Sequence, residues 1–365
     1  MKAEILKEKL VKAISKADKI TGKNLSLPVL GCVLLDAKKN NLKITSTNLD
    51  LGIEINISAN VEEEGIVAVS GAVLNNLLSS DFRSEKIRLE KRGDNLVVLS
   101  DANSTTIKSQ ASDDFPTIPR LNKEKGVSIE SKKLVKGLKS VWYSSATSNI
   151  KPELSSVLVY TDSNSLIFTA TDSFRLAEAR FDFDGQDFEQ ILIPFKNVPE
   201  ILRVFDDIDD NITIYFTRNQ IAFEYNNIYL TSRVIDGNFP DYKQLLPKDF
   251  KTEATVLKDD LMNTLKVSNI FSDKFNKVNF SISPKSKKFE VRAMNSDVGE
   301  NINKVEAVLD GEDIEISFNQ KYIMDCFQSI DSDSLVLKFN GLNKPMVIKS
   351  VPDSRFTYLV MPMNK

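Results

Sequence analysis

Apolar positions along the chain follow two alternating periods, one typical of helices and one typical of strands. Leu6, Leu10, Ala13 or Ile14, and Ala17 recur every three or four residues, which predicts an amphipathic helix with one buried stripe. Short runs with strand periodicity follow, namely LKITST, LVVLS, ITIYF, IAFEY and LVLKF. The pattern predicts an α+β protein with few helices.

The same order of elements occurs three times, with a period close to 124 residues. Each unit has a helix near its start, then strands, a second helix near its middle and further strands. The residues that align are Leu10, Leu134 and Leu261 in the first helices, Asn48, Asp172 and Asn295 after a strand, and Leu78, Leu202 and Phe327 in the second helices.

Two polar segments separate the repeats. DDFPTIPRLNKEKG (113–126) and DGNFPDYKQLLPKDFK (236–251) both carry Phe-Pro, a second Pro and then Lys-rich residues, a composition typical of linkers. We therefore predict three domains, at residues 1–122, 123–248 and 249–365.

The second helices carry candidate caps and one apolar face each. Asn197, with Glu200 three residues later, and Asn319 stand where N-caps are expected. The predicted buried residues are Val198, Ile201, Leu202 and Phe205 in one helix, and Ile323, Cys326, Phe327 and Ile330 in the other.

Lysines form a ridge opposite the buried stripe in two of the first helices. The ridges are Lys9, Lys12, Lys16 and Lys19 in the first domain, and Lys132, Lys136 and Lys139 in the second. In the third domain Lys258 and Lys266 flank two aspartates, so the pattern is weaker there. Because the net charge is −3, such ridges are exceptions that could face a polyanion through sequence-independent phosphate contacts. The alternative is that the lysines only solvate helix faces.

Composition excludes much enzyme chemistry. The chain contains no histidine, so Ser-His and Cys-His nucleophiles and HExxH zinc sites are excluded, and phosphate-loop motifs are missing. Cys32 and Cys326 lie far apart in sequence and are predicted to be reduced core residues. No apolar run is long enough for a membrane span, so we expect a cytoplasmic protein without a cofactor or metal.

Five segments together resemble the bacterial DNA polymerase III β subunit family, the β sliding clamps. They are LPVLGCVLL (27–35), TSTNLDLGI (45–53), TATDSFRLA (169–177), TSRVIDGNFPDYKQLLP (231–247) and YLVMPM (358–363). The resemblance covers essentially the whole chain. It implies three repeated clamp domains, each with two helices packed on antiparallel sheets, that form a ring as a head-to-tail dimer. It also implies a non-catalytic, nucleoid-associated processivity factor that encircles double-stranded DNA and binds the replicative DNA polymerase, the clamp loader and repair proteins through short linear motifs.

The resemblance also implies particular site residues. The peptide-binding pocket would use Leu154, Thr171, Ser173, Phe174, Arg175, Leu176, Pro240, Gln244, Leu245, Met361, Pro362 and Met363. Phe174 stands where a polar ring is more usual, and Gln244 and Asn364 stand where basic residues are common. Dimer contacts would use Ile107, Ile270 and Phe271, and further DNA contacts are expected at Lys23, Asn24, Lys151 and Lys196.

Two alternatives come from other classes of protein. A repeat-built scaffold that binds proteins but not nucleic acid would explain the pocket, although it would not explain the recurrent lysine ridges. An enzyme could use Asp172 as an acid with Arg175 as its electrostatic partner, but most chemistry needs a second acid-base group, and a carboxylate after a strand more often caps a turn.

Overall fold

The computed structural model of the chain describes residues 1–22, 27–80, 84–101, 103–123, 126–148, 150–352 and 355–363. Six α-helices lie in these ranges, two in each repeat: α1 (Lys7–Ile20), α2 (Gly71–Ser79), α3 (Ser131–Val141), α4 (Val198–Phe205), α5 (Lys258–Ile270) and α6 (Gln320–Cys326).

Twenty-seven strands lie in the same described ranges and make up most of their remaining regular structure. The first ten are β1 (Lys2–Leu6), β2 (Cys32–Lys38), β3 (Asn41–Thr47), β4 (Leu51–Ser58), β5 (Asn60–Glu63), β6 (Gly65–Ser70), β7 (Lys86–Arg92), β8 (Asn95–Leu99), β9 (Ser104–Ile107) and β10 (Ser109–Gln110). The next eight are β11 (Val127–Glu130), β12 (Ser156–Asp162), β13 (Ser165–Thr171), β14 (Arg175–Asp182), β15 (Ile191–Pro194), β16 (Asn211–Phe216), β17 (Gln220–Tyr225) and β18 (Ile228–Arg233). The last nine are β19 (Thr252–Leu257), β20 (Lys277–Ser283), β21 (Lys288–Asn295), β22 (Gly299–Lys304), β23 (Ala307–Gly311), β24 (Ile314–Asn319), β25 (Ser334–Phe339), β26 (Met346–Ser350) and β27 (Phe356–Val360).

The described chain separates into two compact units. The first contains residues 1–132 and 196–236, and the second contains residues 133–195 and 237–365. The first unit holds a five-stranded sheet in the order β5-β1-β7-β8-β9 and a nine-stranded sheet in the order β10-β6-β2-β3-β4-β18-β17-β16-β11. The second unit holds a nine-stranded sheet in the order β15-β12-β13-β14-β27-β26-β25-β19-β23 and a four-stranded sheet in the order β22-β21-β20-β24.

Each nine-stranded sheet joins two consecutive repeats through one antiparallel pair. In the first unit β4 pairs with β18, with Ile53 opposite Leu230. In the second unit β14 pairs with β27, with Leu176 opposite Leu359. A half-sheet from one repeat is thus completed by a half-sheet from the next, which explains why the central repeat is divided between the two units.

The helices bury the faces that their periodicity predicts. Leu10, Ala13, Ile14 and Ala17 of α1 are buried. Leu134 of α3 and the predicted apolar residues of α4 are buried as well. Of the residues predicted for the last helix, Ile323 and Cys326 are buried in α6, whereas Phe327 and Ile330 are buried just beyond its end. Both cysteines are free and buried. The assignment of Leu6 to the buried stripe is wrong, because Leu6 ends β1 and its side chain is exposed.

The two predicted helix caps have different outcomes. The Asn319 side chain accepts a hydrogen bond from the amide of Lys321 and caps α6 as expected. Asn197 makes no side-chain capping bond, so that prediction is wrong. Its buried amide instead donates to the Ser232 hydroxyl at 2.9 Å, a partner that a local sequence pattern cannot reveal.

The aligned residues after the strands make equivalent turns. The Asn48 side-chain oxygen accepts hydrogen bonds from the amides of Asp50 and Leu51. Asn295 accepts one from the amide of Asp297 in the third repeat. The threefold repeat found in the sequence is therefore also a repeat of local geometry.

Each linker is tied to a buried glutamate at an equivalent sheet position. Glu54 of β4 contacts the Arg120 guanidinium from the first linker. Glu178 of β14, 124 residues later, accepts a hydrogen bond from the Tyr242 hydroxyl of the second linker. Because a buried carboxylate is costly without partners, these contacts fix where each linker crosses its sheet.

Within the described ranges, no helix combines the length and apolar content needed to cross a bilayer.

Close packing of α3 on its sheet gives a test of the core. A β-carbon added at Gly137 would lie 2.2 Å from a ring carbon of the buried Phe168. Gly137→Ala should therefore lower the free energy of unfolding by about 2 kcal/mol, despite the better helix propensity of alanine. Urea unfolding followed by circular dichroism measures this. The exposed control Lys132→Ala, in the same helix, should change stability by no more than about 0.5 kcal/mol. Equal stability of Gly137→Ala and the unmodified chain would contradict this packing.

Candidate functional site

The loop that follows β13 is held by side chains of its own residues. The Thr171 hydroxyl donates to the carbonyl of Arg175 at 2.6 Å, and the Asp172 carboxylate accepts from the amides of Phe174 and Arg175 at 2.9 and 3.0 Å. Ser173 has a φ of 79°, in the left-handed region. This turn keeps the Phe174 side chain in solvent, where it is 61% exposed.

Arg175 fixes this loop to neighbouring elements of the same unit. Its Nε donates to Asp172 at 2.9 Å, and its Nη2 donates to the Tyr143 carbonyl at 2.6 Å. Its Nη1 contacts Asp325 of α6, and the guanidinium lies 4.5 Å from the ring centroid of Tyr322. Asp172 and Arg175 are therefore occupied in holding the turn, as expected for a capping carboxylate rather than for an acid-base centre.

The end of the described chain is anchored beside this loop. The Met361 amide donates to the carbonyl of Phe174, and the Met363 amide donates to the carbonyl of Ser317, both at 2.8 Å. The first bond continues the pairing of β14 with β27, and the second joins the chain to β24. The Met361 side chain remains exposed next to Phe174.

The second linker supplies the facing side of the site through a turn at residues 242–245. The Tyr242 hydroxyl lies 2.9 Å from that of Tyr160, accepts from Thr169 at 3.1 Å and donates to Glu178. Burial, followed by the Glu178 carboxylate, raises the pKa of Tyr242 well above its usual value, so the phenol stays protonated. Because Tyr242 is fixed inside, Leu245 is held outside and exposed.

These elements enclose a cavity of about 210 Å³ within the second unit. Eight of the predicted pocket residues line it, namely Thr171, Ser173, Phe174, Arg175, Leu176, Gln244, Leu245 and Met361. Asn343, Lys344, Pro345 and Leu359 also line it and were not predicted. Leu359 pairs with Leu176 of the TATDSFRLA segment, so its place beside the cavity follows from that pairing. The turn at residues 341–345 is brought to the cavity by the tertiary fold and not by a local sequence pattern.

Four predicted pocket residues do not line this cavity. Leu154 is buried, and Pro240 lines a neighbouring cavity of about 230 Å³ with Tyr160. Pro362 and Met363 follow Met361 and are partly exposed. Asn364 lies outside the described residues.

Most of the predicted DNA-contacting lysines are solvent exposed. The exposed lysines are Lys9, Lys12 and Lys19 on α1, Lys132, Lys136 and Lys139 on α3, Lys151 in a loop, and Lys196 in the short 3-10 helix before α4. Lys16 differs, because its side chain is only 16% exposed and donates to the Val204 carbonyl and to Asp207. Lys23 and Asn24 lie outside the described residues.

Lys9, Lys12 and Lys16 also border a groove of about 500 Å³ in the first unit. Among the described residues, no three His, Cys, Asp or Glu side chains come close enough together to hold a metal ion.

The residues predicted to form dimer contacts have different environments. Ile107 on β9 is 5% exposed within its own sheet, whereas Ile270 at the end of α5 is 66% exposed. Phe271 is partly exposed. Four exposed apolar side chains that follow in the sequence were not predicted, namely Phe275, Met294, Val298 and Ile302.

The architecture defines a three-domain clamp fold, built from antiparallel sheets and few helices. The sequence matches the DNA polymerase III beta subunit N-terminal domain over residues 1–119, the central domain over 128–241 and the C-terminal domain over 243–364.

Curated relatives and solved structures agree with these matches. The beta sliding clamps of Staphylococcus aureus and Synechococcus elongatus are each 26% identical, the first covering 100% of this chain and 99% of its own length, the second 92% of each. The DNA polymerase III beta subunit structure from Thermotoga maritima has a TM-score of 0.94 at 26% identity, with 100% of this chain and 99% of that chain covered. The Bacillus subtilis DNA polymerase sliding clamp has the same fold, with a TM-score of 0.93 at 23% identity and the same coverage. The chain belongs to the DNA polymerase III beta subunit family, the sliding clamps, and is a non-catalytic processivity factor.

The two roles of Asp172 can be separated by substitution. Asp172→Ala removes the acceptor for two turn amides and the charge beside Arg175, and should lower the free energy of unfolding by about 2 to 3 kcal/mol. Asp172→Asn keeps a side-chain oxygen for the amides and should lose about 1 kcal/mol. Urea unfolding of the two variants is the measurement. Unchanged stability in Asp172→Ala would contradict the capping role.

Proposed function

We propose that two copies of this chain join head to tail into a ring that encircles duplex DNA and tethers the replicative polymerase. The observation that carries this proposal is the strand count of the sheets. Each internal nine-stranded sheet consists of one half-sheet of five strands and one of four, contributed by consecutive repeats. Within the described residues, the five-stranded sheet that ends at β9 and the four-stranded sheet that ends at β22 are the two halves without such a partner.

Pairing β9 of one copy with β22 of the other would complete a third nine-stranded sheet of the same kind. Each half-sheet has one strand at the edge where a second half-sheet joins it. In half-sheets of the same kind as that of β9 this strand is β18 or β27, and in those of the same kind as that of β22 it is β4 or β14. Made reciprocally by two copies, this pairing leaves neither edge open and closes the dimer. The exposed Ile270 and Ile302 would then be covered beside the joined edges, with Ile107 and Phe271.

We keep the proposed domain boundaries near residues 122 and 248. The first lies between the family matches to residues 1–119 and 128–241, and the second lies five residues inside the match that begins at 243. We place the protein in the cytoplasm with the nucleoid, where its DNA partner lies.

We propose that the lysines of the first helices contact DNA phosphates without reading sequence. The exposed rows on α1 and α3 support this, and Lys23, Asn24, Lys151 and Lys196 are proposed to extend them. Because escape from a closed ring requires opening it, individual contacts can stay weak and exchange as the ring slides.

We propose that the 210 Å³ cavity receives short linear motifs of the polymerase, the clamp loader and repair proteins. Exposed apolar side chains of Phe174, Leu245 and Met361 beside a fixed backbone suit an apolar peptide anchor. Methionine adapts to different side chains, which suits a pocket with several partners. Leu154, Pro240, Pro362 and Met363 are proposed to border the same peptide path.

Retention on DNA tests the ring. After loading, the protein should stay on a closed circular duplex many times longer than on the same duplex once linearised, because only a free end allows a closed ring to slide off. Ile302→Asp, which places a charge on the β22 edge, should remove this difference, whereas the control Val308→Asp on β23 should keep it. Equal loss from circular and linear DNA would instead favour a protein-binding scaffold.

Peptide binding tests the cavity. Leu245→Asp should weaken binding of a polymerase-derived motif peptide by about tenfold or more, since it puts a charge against an apolar anchor. Fluorescence anisotropy of a labelled peptide is the measurement, and Val308→Asp is again the control. Full affinity in Leu245→Asp would show that the peptide binds elsewhere.

A further inference from the structure

Several of the lysines proposed to contact DNA already contact a carboxylate of their own chain. The pairs are Lys12 with Glu8, Lys16 with Asp207, Lys132 with Asp209, Lys136 with Asp331, and Lys196 with Asp50. A lysine in such a pair must exchange one anion for another when a phosphate approaches.

Three of these carboxylates come from equivalent places in the fold. Asp207 and Asp209 follow α4, and Asp331 follows α6, so each lies just after the second helix of its repeat. Their side chains are 64%, 77% and 73% exposed. Ion pairs exposed on both sides, such as Lys132–Asp209 and Lys136–Asp331, contribute only about 0 to 1 kcal/mol to stability. Lys16 is less exposed, but it also donates to the Val204 carbonyl, so Asp207 is not its sole partner.

The pairing recurs at both internal seams. In the first unit, Lys16 of α1 reaches Asp207 after α4. In the second unit, Lys136 of α3 reaches Asp331 after α6. In both cases a lysine of the first helix of one repeat contacts an aspartate that follows the second helix of the next repeat. This recurrence in two independent sheets distinguishes the pairs from scattered surface contacts.

We propose that Asp207, Asp209 and Asp331 are built-in counter-ions that DNA phosphates displace, and that they lower both the affinity and the salt dependence of the phosphate contacts. This inference rests on the proposed function. When a phosphate takes the lysine, the freed carboxylate remains near the polyanion, repels it and takes up a cation from solution. The net number of ions released on binding is therefore smaller than the number of lysines. Weak, exchangeable contacts are what a sliding ring requires.

The test compares two triple variants with the same net charge. The first combines Asp207→Asn, Asp209→Asn and Asp331→Asn, which removes the carboxylates that pair with Lys16, Lys132 and Lys136. The matched control, Asp236→Asn, Glu62→Gln and Glu312→Gln, removes three carboxylates that pair with Arg218, Lys2 and Lys251, none of which is proposed to contact DNA. Binding of a short labelled linear duplex is measured by anisotropy over a series of salt concentrations.

The first triple variant should bind about tenfold more tightly at low salt than the unmodified protein. Its slope of log K against log salt should steepen by about 2 to 3, since each neutralised phosphate contributes about 0.9. The control should change affinity by less than about twofold, with the same slope. The inference would be overturned if affinity and salt slope changed equally in both triple variants, or if neither changed in the first triple variant. The ring is tested separately by retention on DNA. If the unmodified protein is retained on circular DNA, only the counter-ion inference is rejected; if it is lost from circular DNA, the proposed ring and the inference are both rejected.

Discussion

Unpaired backbone groups at a sheet edge are the constraint on which this architecture depends. Every strand in the interior of a sheet satisfies its amides and carbonyls on both sides, whereas an edge strand leaves one side open and invites pairing with another chain. This protein satisfies that requirement twice within the chain, where β4 meets β18 and where β14 meets β27. The two remaining half-sheets, ending at β9 and β22, have complementary strand counts, and this is the basis for proposing a second copy as their partner.

The same seams position the surfaces that we propose to be functional. Where β14 meets β27, the turn capped by Asp172, the anchored Met361 and the linker fixed by Tyr242 converge on one cavity. The equivalent seam in the first unit also carries a capped turn, at Asn48, and a linker fixed to buried Glu54. The cavity that we propose to bind peptides and the connection between repeats therefore occupy one repeated kind of junction, and the side chains present differ between the two copies of it.

Local patterns predicted much of this arrangement, and their failures have physical causes. The 124-residue period, the buried stripes of the helices and the capping role of Asp172 depend on nearby residues, so they were visible in the sequence. Leu6 was misassigned because a strand runs directly into α1 without a break in the apolar pattern. The partners of Lys136 and of Asn197 lie 195 and 35 residues away, and the turn that brings Lys344 to the pocket is equally non-local. Contacts of this kind arise from the fold and leave no local signal.

Sedimentation equilibrium over a range of concentrations tests edge pairing most directly. The Ser100 amide donates to the Asn103 carbonyl, so the backbone groups of Asn103 point toward β8. Because backbone groups alternate in direction along a strand, those of Thr106, three residues later, point to the open side of β9. The account predicts a species of twice the 41.0 kDa chain mass, and a monomer for Thr106→Pro, which removes one amide from that edge. A monomer at every concentration, or a dimer that the proline leaves unchanged, would contradict it.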